Sequence, residues 1–474
     1  MKEVRTRFAP SPTGYMHVGN LRSAIFTYLV AKANDGKFIL RIEDTDQQRK
    51  VDGAVDFIFD TLALCGIVPD ESPKRPGEYG PYTQSERLGL YQKYAEELVE
   101  KGHAYYCFCD EERLEGLREK AVREKVPFFY DRHCYHMSQE EKDQRIAKGE
   151  KYVIRQLVPD EGVSTYHDLV YGDISVENKN IEDQILLKSD GYPTYNFANV
   201  IDDHLMNITY ITRGNEYLSS TPKYNLLYEA FGWEKPNYIH LPMVLGDDGQ
   251  KLSKRNGDAS FMDLYDQGYL PEAIVNYLVL LGWTDVDNQE LFTMEELKKK
   301  FSVERIGKAP ATFDIKKLNW VNAHYMKQLD EDTLYKLTVP HLQEAYGKEY
   351  AEDWLRELVK LYQKEISYGK EIVDVTALFF KKEVTLDAAC QEFMEQDGIR
   401  ETLDVFLEEI TNIMEWTVEA INEAIQKTKE KTGVKGKLLF MPIRIQTTGQ
   451  MHGPELSNSI HLIGKDTVIA RLKQ

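Results

Sequence analysis

The chain has no long run of apolar residues, few cysteines and a deficit of positive charge. No stretch approaches the roughly 18 apolar residues that a membrane-spanning helix needs, and the N-terminal segment lacks the apolar core of a secretory signal. These absences predict a cytoplasmic protein without a membrane partner. Over 474 residues, a hydrophobic fraction of 42% is enough to fill about three domains.

The net charge of −19 argues against indiscriminate binding of nucleic acid, and we therefore expect no DNA partner. Total charge says little about local surfaces, so a basic face could still bind RNA. The candidate basic clusters are Lys298–Lys300, Lys316–Lys317 and the lysine-rich stretch 427–437. Each of these, taken alone, is more often a solvated helix surface.

Three of the five cysteines lie close together, in a spacing unlike a disulfide framework. Cys107 and Cys109 are followed, after 24 residues, by Cys134 and then His136. Soft thiolates with one imidazole, in two close pairs across a loop, suit a tetrahedral structural Zn²⁺. Free thiols in a reducing cell are the alternative. The other candidates for the fourth ligand are His133 and Tyr130.

The first 46 residues have the pattern of a βαβ unit. Residues 4–8 alternate as in a strand, and apolar residues over 21–29 recur at helical spacing. A second strand, predicted over 37–42, leads into the acidic stretch 43–46. Such units form a doubly wound parallel sheet, whose ligands bind beyond the carboxyl ends of the strands.

The βα pattern is interrupted between about residues 105 and 180, and we interpret this part as an insertion. Beyond about residue 260, almost every segment reads as an amphipathic helix, which indicates a helical binding module. Between these two parts, the pattern predicts strands over 184–188, 207–212 and 238–245, with a helix over 217–231.

Two short polar strings, 17–20 and 251–255, stand where a strand gives way to a loop or helix. In the first, Gly19 would let the backbone approach a phosphate at a helix N-terminus, and His17 could donate to it. The second has three cations in five residues, which suits a departing pyrophosphate. Taken alone, His17 is more often a loop histidine with a structural hydrogen bond, and 251–255 is more often an exposed charged turn.

Together, these two strings and the segment 9–14 resemble the ATP motifs of class I aminoacyl-tRNA synthetases. Asn20, Leu252 and Arg255 are mild departures from those motifs. The resemblance covers essentially the whole chain and narrows to the bacterial glutamyl-tRNA synthetases. The strings that narrow it are 41–46, 195–199, 213–216, 439–444 and 452–456.

The resemblance implies an α/β fold: a Rossmann-type doubly wound parallel catalytic sheet with an inserted acceptor-binding domain. An all-α C-terminal anticodon-binding region follows. The implied catalytic halves are 1–105 and 184–250, and the inserted acceptor-stem domain with its zinc site is 106–183. The second motif loop and stem-contact domain would span 251–324, and the helical region 325–474.

The resemblance also implies ATP-dependent ligation of L-glutamate to tRNA(Glu) through glutamyl-adenylate, by a monomer, with Mg²⁺ accompanying ATP. His17 and Lys254 would be catalytic, stabilising charge as pyrophosphate leaves. The ATP-binding residues would be His17, Gly19, Asn20, Glu216, Lys251, Ser253, Lys254 and Arg255. The glutamate-binding residues would be Arg7, Ala9, Ser11, Glu43, Tyr195, Asn199 and Arg213.

The proposed amino-acid site agrees with the chemistry of glutamate. Each carboxylate needs a cation, for which Arg7 and Arg213 are available, and the ammonium group needs an anion such as Glu43. The sequence leaves open which arginine binds which carboxylate and whether tRNA(Gln) is also charged. Other readings are a glutaminyl-tRNA synthetase, whose relatives end in β-barrels, a truncated paralogue, and a nucleotide-binding relative without activity.

Overall fold

The computed structural model describes residues 2–46, 49, 51–252 and 260–474. The chain forms two compact units. The first comprises Met1–Met262 and Val275–Asp314, and the second comprises Asp263–Ile274 and Ile315–Gln474.

The strands of the described residues all lie in the first unit. In chain order they are β1 (Arg5–Phe8), β2 (Lys37–Leu40), β3 (Ala104–Cys107), β4 (Val153–Gln156), β5 (Val163–Asp168), β6 (Gly172–Glu177), β7 (Ile185–Leu187), β8 (Tyr210–Gly214), β9 (Asn237–Leu241), β10 (Val244–Leu245) and β11 (Ala311–Thr312).

The helices follow the same numbering. They are α1 (Val18–Lys32), α2 (Ala54–Leu64), α3 (Leu88–Glu100), α4 (Glu111–Glu124), α5 (Gln139–Ala147), α6 (Tyr195–Leu205), α7 (Thr221–Phe231), α8 (Phe261–Asp266), α9 (Pro271–Leu280), α10 (Met294–Lys300), α11 (Ile315–Met326), α12 (Glu331–Tyr346), α13 (Glu352–Tyr362), α14 (Ile372–Val375), α15 (Ala388–Met394), α16 (Ile399–Thr411), α17 (Val418–Thr432), α18 (Lys437–Thr448), α19 (Leu456–Ile463) and α20 (Lys465–Leu472).

The main sheet has the strand order β2-β1-β8-β9-β5-β6. Every neighbouring pair is parallel except β5 and β6, which form an antiparallel hairpin at one edge. The strand order reverses direction beside β1, since β2 lies on one side of it and β8 on the other. This arrangement confirms the predicted doubly wound parallel sheet, which binds ligands at such a reversal.

Two predicted sheet assignments are wrong. The strand expected to resume the main sheet near residues 184–188, β7, instead lies in a separate antiparallel sheet of order β3-β4-β7. Conversely, β5 and β6, which fall inside the predicted insertion, belong to the main sheet. The reason is tertiary pairing: Asp168 at the end of β5 aligns with Tyr238 on β9, a partner that local pattern does not reveal.

Smaller boundary differences separate the predicted and the observed elements, and two of them occur at prolines. β2 ends at Leu40 rather than near residue 42, and the strand predicted over 238–245 is divided into β9 and β10. Pro242 lies between them and has no backbone N–H to donate to a ladder. The helix predicted over 217–231 begins at Thr221, with Pro222 in its first turn.

Helix α1 is apolar nearly all around, which explains why it is buried rather than amphipathic. It leads directly into β2 through a tight turn at Gly36. A Cβ atom on Gly36 would lie 2.2 Å from the carbonyl oxygen of Val4, so only glycine allows this close approach. The turn thereby sets the register of β2 against β1, in which Lys37 aligns with Arg5.

The second unit consists of helices, in agreement with the predicted all-α region. A core from α16 to α20 includes Phe406, Ile421, Ile443, Ile460 and Val468, each with no exposed surface. Such residues recur at three-and-four spacing on each helix, so their burial supplies the main stabilisation of this half. Across the described ranges, no helix combines the length and apolarity that a membrane span requires.

Candidate active site

A cleft of about 500 Å³ opens at the carboxyl ends of β1, β8 and β9, beside the N-terminus of α1. This is where parallel α/β sheets bind ligands. Among the predicted site residues, those lining the cleft are Arg7, Ala9, Ser11, His17, Gly19, Asn20, Glu43, Tyr195, Arg213, Glu216 and Lys251.

Asn199 is the one described residue of the predicted ATP and glutamate sites that is not among the residues lining this cleft. Asn199 is buried on α6, where its side-chain amide donates to the carbonyl oxygen of Tyr195 at 2.9 Å. Ser253, Lys254 and Arg255 lie outside the described residues. Their roles stay predictions.

His17 caps the N-terminus of α1. Its Nδ1 atom accepts from the backbone N–H of Gly19 at 3.0 Å, so in the neutral ring the proton resides on Nε2. A Cβ on residue 19 would lie 3.1 Å from that Nδ1 atom, which favours glycine here. The helix therefore presents backbone amides, a positive dipole end and one imidazole N–H at the cleft, as an anion site requires.

Arg7 lies in a buried network of alternating charges beneath the cleft. Its Nε donates to Asp203 Oδ1 at 2.9 Å, and Nη1 of Arg41 donates to the same oxygen at 2.7 Å. Arg41 also donates to Glu43 at 2.9 Å, while Arg87 donates to Asp202 at 2.7 Å. The three arginines are thus matched by three carboxylates.

Burial and charge act in opposite directions on these acids. Burial by itself would raise the pKa of Asp203, but the guanidinium groups of Arg7 and Arg41 reverse the shift and lower it. For Glu43, burial prevails over Arg41 and raises the pKa. A cation close to Glu43, such as a ligand ammonium, would favour its ionised form.

Arg213 has a different environment at the end of β8. Its Nε donates to Nε2 of His240 at 3.1 Å, and its Nη2 donates to the hydroxyl of Thr221 at 2.7 Å. The third nitrogen, Nη1, is buried without a hydrogen-bond partner among the described residues. The guanidinium lies 4.7 Å from the ring centroid of Tyr224 and 5.2 Å from that of Tyr217. Neutral acceptors and aromatic faces hold this cation in place of a carboxylate.

Another arginine at the cleft, Arg22, has neutral surroundings like those of Arg213. Its Nη1 donates to the carbonyl of Pro242 at 2.8 Å, and its guanidinium lies over the ring of Phe26. Burial lowers the pKa of Arg22 to about 10. Its Nη2 lies against Gly282, where a Cβ would approach within 2.5 Å, so this group is enclosed by backbone.

The outer wall of the cleft carries an exposed ion pair. Nζ of Lys251 lies 3.3 Å from Oε1 of Glu216. A Cβ at Gly214 would lie 2.0 Å from the Glu216 carboxylate, so glycine lets that side chain fold back over the end of β8. Both side chains are about half exposed and can reorient when a ligand binds.

The sequence analysis did not identify Asp203 and His240, which are the partners of Arg7 and Arg213. It also missed Asp168, which contacts His240, and the role of Arg41. One signal was available for two of them. Asp202–Asp203 and His240 are polar residues inside otherwise buried segments of α6 and β9. Buried charged groups are almost always paired, so such positions indicate a partner without identifying it.

The three neighbouring cysteines form a separate cluster beside β3. The sulfur atoms of Cys107, Cys109 and Cys134 all lie within 4.8 Å of one another. The phenol oxygen of Tyr130 lies 3.4 Å from the Cys107 sulfur and 3.2 Å from that of Cys109. Hydrogen bonding with Cys134 lowers the pKa of Cys107 well below its usual range. Three sulfurs, one already favouring the thiolate, fit a zinc site, and the phenol oxygen of Tyr130 lies beside them.

His136, the predicted fourth ligand, is exposed, and the compact group of potential ligands does not include it. Its ring instead packs against that of Tyr135, with centroids 5.2 Å apart. The two-pair spacing that suggested His136 reflects sequence proximity to Cys134. The fold instead directs the residue four positions before Cys134 toward the sulfurs.

Two family models together match nearly the whole chain. The model for tRNA synthetases class I (E and Q), catalytic domain, matches residues 3–320, and that for an anticodon binding domain matches residues 333–474. With the parallel sheet and its cleft, these matches define a class I tRNA synthetase.

Curated relatives include the glutamate–tRNA ligase of Clostridium novyi, 49% identical over 100% of this chain and 97% of that protein. The enzyme of the same name from Clostridium botulinum is 48% identical over 99% of this chain and 97% of that protein. The chain belongs to the glutamate–tRNA ligase family. This confirms the family and enzyme class that the motifs predicted.

Two solved structures are similar over their whole length. A glutamate tRNA ligase from Elizabethkingia meningosepticum, in complex with its amino acid, has a TM-score of 0.89 at 34% identity. A glutamate-tRNA synthetase from Elizabethkingia anophelis has a TM-score of 0.90 at 33% identity. In both cases the match covers 100% of this chain and 99% of the other. These similarities confirm the predicted fold class.

Proposed function

We propose that this chain ligates L-glutamate to tRNA(Glu) in two steps, with ATP as the energy source. The observation that carries the proposal is the pairing of two features in one cleft. An anion-binding helix N-terminus, capped by His17, lies beside an arginine, Arg213, that has no carboxylate partner among the described residues. The first feature suits phosphate, and the second suits the carboxylate of an amino acid.

In the first step, the α-carboxylate of glutamate attacks the α-phosphorus of ATP and pyrophosphate leaves. The carboxylate is already a nucleophile, so no protein base is needed, and catalysis consists of positioning and charge stabilisation. His17 would donate to a phosphate oxygen from Nε2, and Lys254 would stabilise the departing pyrophosphate. Mg²⁺ bound to ATP would supply further positive charge.

In the second step, a ribose hydroxyl of the terminal adenosine of tRNA attacks the glutamyl carbonyl and AMP leaves. We infer that Arg7, Ala9, Ser11, Tyr195, Asn199 and Arg213 hold the glutamyl group, with Glu43 opposite its ammonium. Gly19, Asn20, Glu216, Lys251, Ser253 and Arg255 would hold ATP. A neutral amide in place of a carboxylate would leave a buried guanidinium unpaired, which disfavours glutamine by roughly 3 to 5 kcal/mol.

The second unit would bind the anticodon end of tRNA(Glu), as its family match supports. Residues 106–183, apart from β5 and β6, would contact the acceptor stem, 251–324 the connecting stem region, and 325–474 the anticodon. The catalytic halves would be 1–105 and 184–250, with β5 and β6 added to them and β7 excluded, because β5 and β6 lie in the main sheet and β7 does not. We further propose that the protein acts as a monomer in the cytoplasm.

The deciding experiment is ATP–pyrophosphate exchange with glutamate or glutamine, in the presence and absence of tRNA(Glu) and tRNA(Gln). We expect exchange with glutamate and transfer to tRNA(Glu). Exchange with glutamine alone would indicate a glutaminyl enzyme, and none under any condition would indicate a nucleotide-binding relative. Either result would refute the proposal. Transfer of glutamate to tRNA(Gln) as well would show a broader substrate range.

We also propose that Cys107, Cys109, Cys134 and Tyr130 hold one structural Zn²⁺, which would tie β3 to the loop that carries Tyr130. The metal would contribute stability and no chemistry to the reaction.

Metal analysis after mild dialysis should find about one equivalent of zinc. Less than about 0.2 equivalents would argue for free thiols. Tyr130→Phe should speed zinc loss to a chelator at least about tenfold, whereas His136→Ala should not. The reverse ranking would restore His136 as the fourth ligand.

A further inference from the structure

Arg213 is oriented by a buried chain of three residues on neighbouring strands. The carboxylate of Asp168, at the end of β5, lies 2.6 Å from Nδ1 of His240 on β9. The opposite ring nitrogen, Nε2, accepts from Nε of Arg213 on β8 at 3.1 Å. His240 and Asp168 have no exposed surface. His240 does not line the cleft, so it can act on a ligand only through Arg213.

The hydrogen bonds determine which form the imidazole takes. An arginine Nε–H can only donate, so Nε2 of His240 must offer its lone pair, and the ring proton lies on Nδ1, facing Asp168. The Asp168 carboxylate is fully engaged, since it also accepts from the backbone N–H groups of Val170, Tyr171 and His240. The ring is therefore held neutral and in one orientation.

We propose that His240 is a positioning residue for glutamate recognition: it orients Arg213 through a neutral acceptor, so that the guanidinium stays available for a substrate carboxylate. A carboxylate at this position would also orient Arg213, but it would compete with the substrate. Thr221 acts in the same way, since its hydroxyl donates to the carbonyl of Tyr217 at 2.8 Å and accepts from Arg213 at 2.7 Å. The inference rests on the proposed function.

Protonation of His240 would remove the acceptor and place a second cation beside Arg213. Burial lowers the pKa of His240, with Arg213 acting in the same direction and Asp168 opposing it. The other titratable groups facing the ring are Tyr166 and Tyr238, whose ring centroids lie 6.4 and 6.2 Å away, and the carboxylate of Glu216. Because the pKa is lowered from the ordinary histidine value of 6.5, we expect the wild-type KM for glutamate to rise only when the pH falls well below that value.

The test compares His240→Leu, which removes the acceptor, with His240→Gln, which can offer an amide oxygen to Arg213. In glutamylation of tRNA(Glu) at pH 7.5, His240→Leu should raise the KM for glutamate about 10- to 50-fold and change the KM for ATP less than about threefold. His240→Gln should stay within about fivefold of wild type and should lose the rise in KM at acidic pH.

Thr6→Val is the matched control for a lost buried hydrogen bond. Thr6 is fully buried on β1, and its hydroxyl donates to the carbonyl of Thr27 at 3.0 Å, away from the cleft. This variant should lower the thermal stability without changing the KM for glutamate. If His240→Leu does not fold, the pH dependence of wild type against His240→Gln decides the matter.

The outcomes separate this inference from the proposed function. Wild-type protein that fails to glutamylate tRNA(Glu) would refute the proposed function. If the wild type is active, two results for His240→Leu would overturn the positioning role alone. One is an unchanged KM for glutamate, and the other is a lower kcat together with a higher KM for both glutamate and ATP. Identical pH dependence in wild type and His240→Gln would overturn it as well.

Discussion

Arg7 and Arg213, two of the arginines that line the cleft, differ in how their charge is balanced. Arg7 donates to Asp203, which Arg41 also contacts, so its charge is compensated by the protein. Arg213 donates to a neutral imidazole and a hydroxyl, and one of its nitrogens has no partner among the described residues. Arg7 is thus paired with a carboxylate of the protein, whereas Arg213 has no carboxylate partner among the described residues.

The difference teaches that burial alone does not identify a substrate-binding cation. Both side chains are at least 94% buried, with 4% and 6% of their surface exposed. What distinguishes them is the partner. A buried charge without a counter-charge destabilises the free protein. Such charges are found at functional sites, where a bound ligand supplies the counter-charge.

The largest expected effect comes from Asp203→Asn, which breaks the compensated side. Arg7 and Arg41 would lose their shared carboxylate, and we expect a loss of about 3 to 5 kcal/mol in the free energy of unfolding. Denaturant unfolding of the full chain, monitored by far-UV circular dichroism, measures this loss. A loss below about 1 kcal/mol would show that the network contributes little, as surface ion pairs do.

A matched pair of variants, Arg213→Leu and Arg7→Leu, sharpens the comparison. Arg213→Leu should raise the KM for glutamate roughly a hundredfold, about 3 kcal/mol, with little loss of stability, because it leaves no unpaired acid behind. Arg7→Leu should lower both glutamate affinity and stability, since Asp203 loses a partner. Steady-state kinetics and thermal unfolding of both variants check this. Equal stability losses would erase the distinction.

The smallest effect is expected for the ion pair of Arg5 and Glu71, which serves as a reference outside the cleft. Arg5 lies two residues before Arg7 on the same strand. Arg5 donates to both oxygens of Glu71, at 2.8 and 2.9 Å. Hydrogen bonding to Arg5 lowers the pKa of Glu71 from 4.5 to about 2. Glu71→Gln should lower the free energy of unfolding by about 1 kcal/mol, because the amide oxygen of glutamine can still accept a hydrogen bond from Arg5.

The pH dependence of this pair has a defined sign. The carboxyl group of Glu71 takes up a proton in the unfolded chain before it does so in the folded protein. Its contribution to stability is therefore fully present above about pH 4.5 and is lost as the pH falls toward about 2. Melting temperatures from pH 7 to 2 should show a weaker acid dependence in Glu71→Gln than in wild type. If the fall in melting temperature at acidic pH is the same in Glu71→Gln and wild type, Glu71 does not contribute to the acid dependence of stability.

Much of the fold was predictable because its signals are local. The strand alternation over 4–8 and the helical spacing over 21–29 correspond to β1 and α1. Amphipathic periodicity likewise predicted the helical second half. The prediction of the sheets to which β5, β6 and β7 belong was wrong, because a strand pattern predicts that a strand forms but does not predict which strands pair with it.

The candidate site divides in the same way. His17 and Gly19 could be predicted because a cap, a glycine and a helix start are contiguous in the chain. Tyr130 could be named only as an alternative to His136, since loop conformation determines which of them reaches the sulfurs. In the structure the Tyr130 hydroxyl, rather than the His136 ring, lies beside the sulfur atoms, and the identity of the fourth ligand stays a prediction.

The sequence by itself determined the family, the parallel α/β catalytic half, the helical second half and the residue types that suit ATP and a dicarboxylic amino acid. Only the tertiary structure decided how the arginines are balanced. Arg7 meets Asp203 across 196 positions of the chain, and His240 meets Asp168 across 72. Contacts at such separations depend on how strands are ordered in the sheet, and that order is a property of the packed core as a whole.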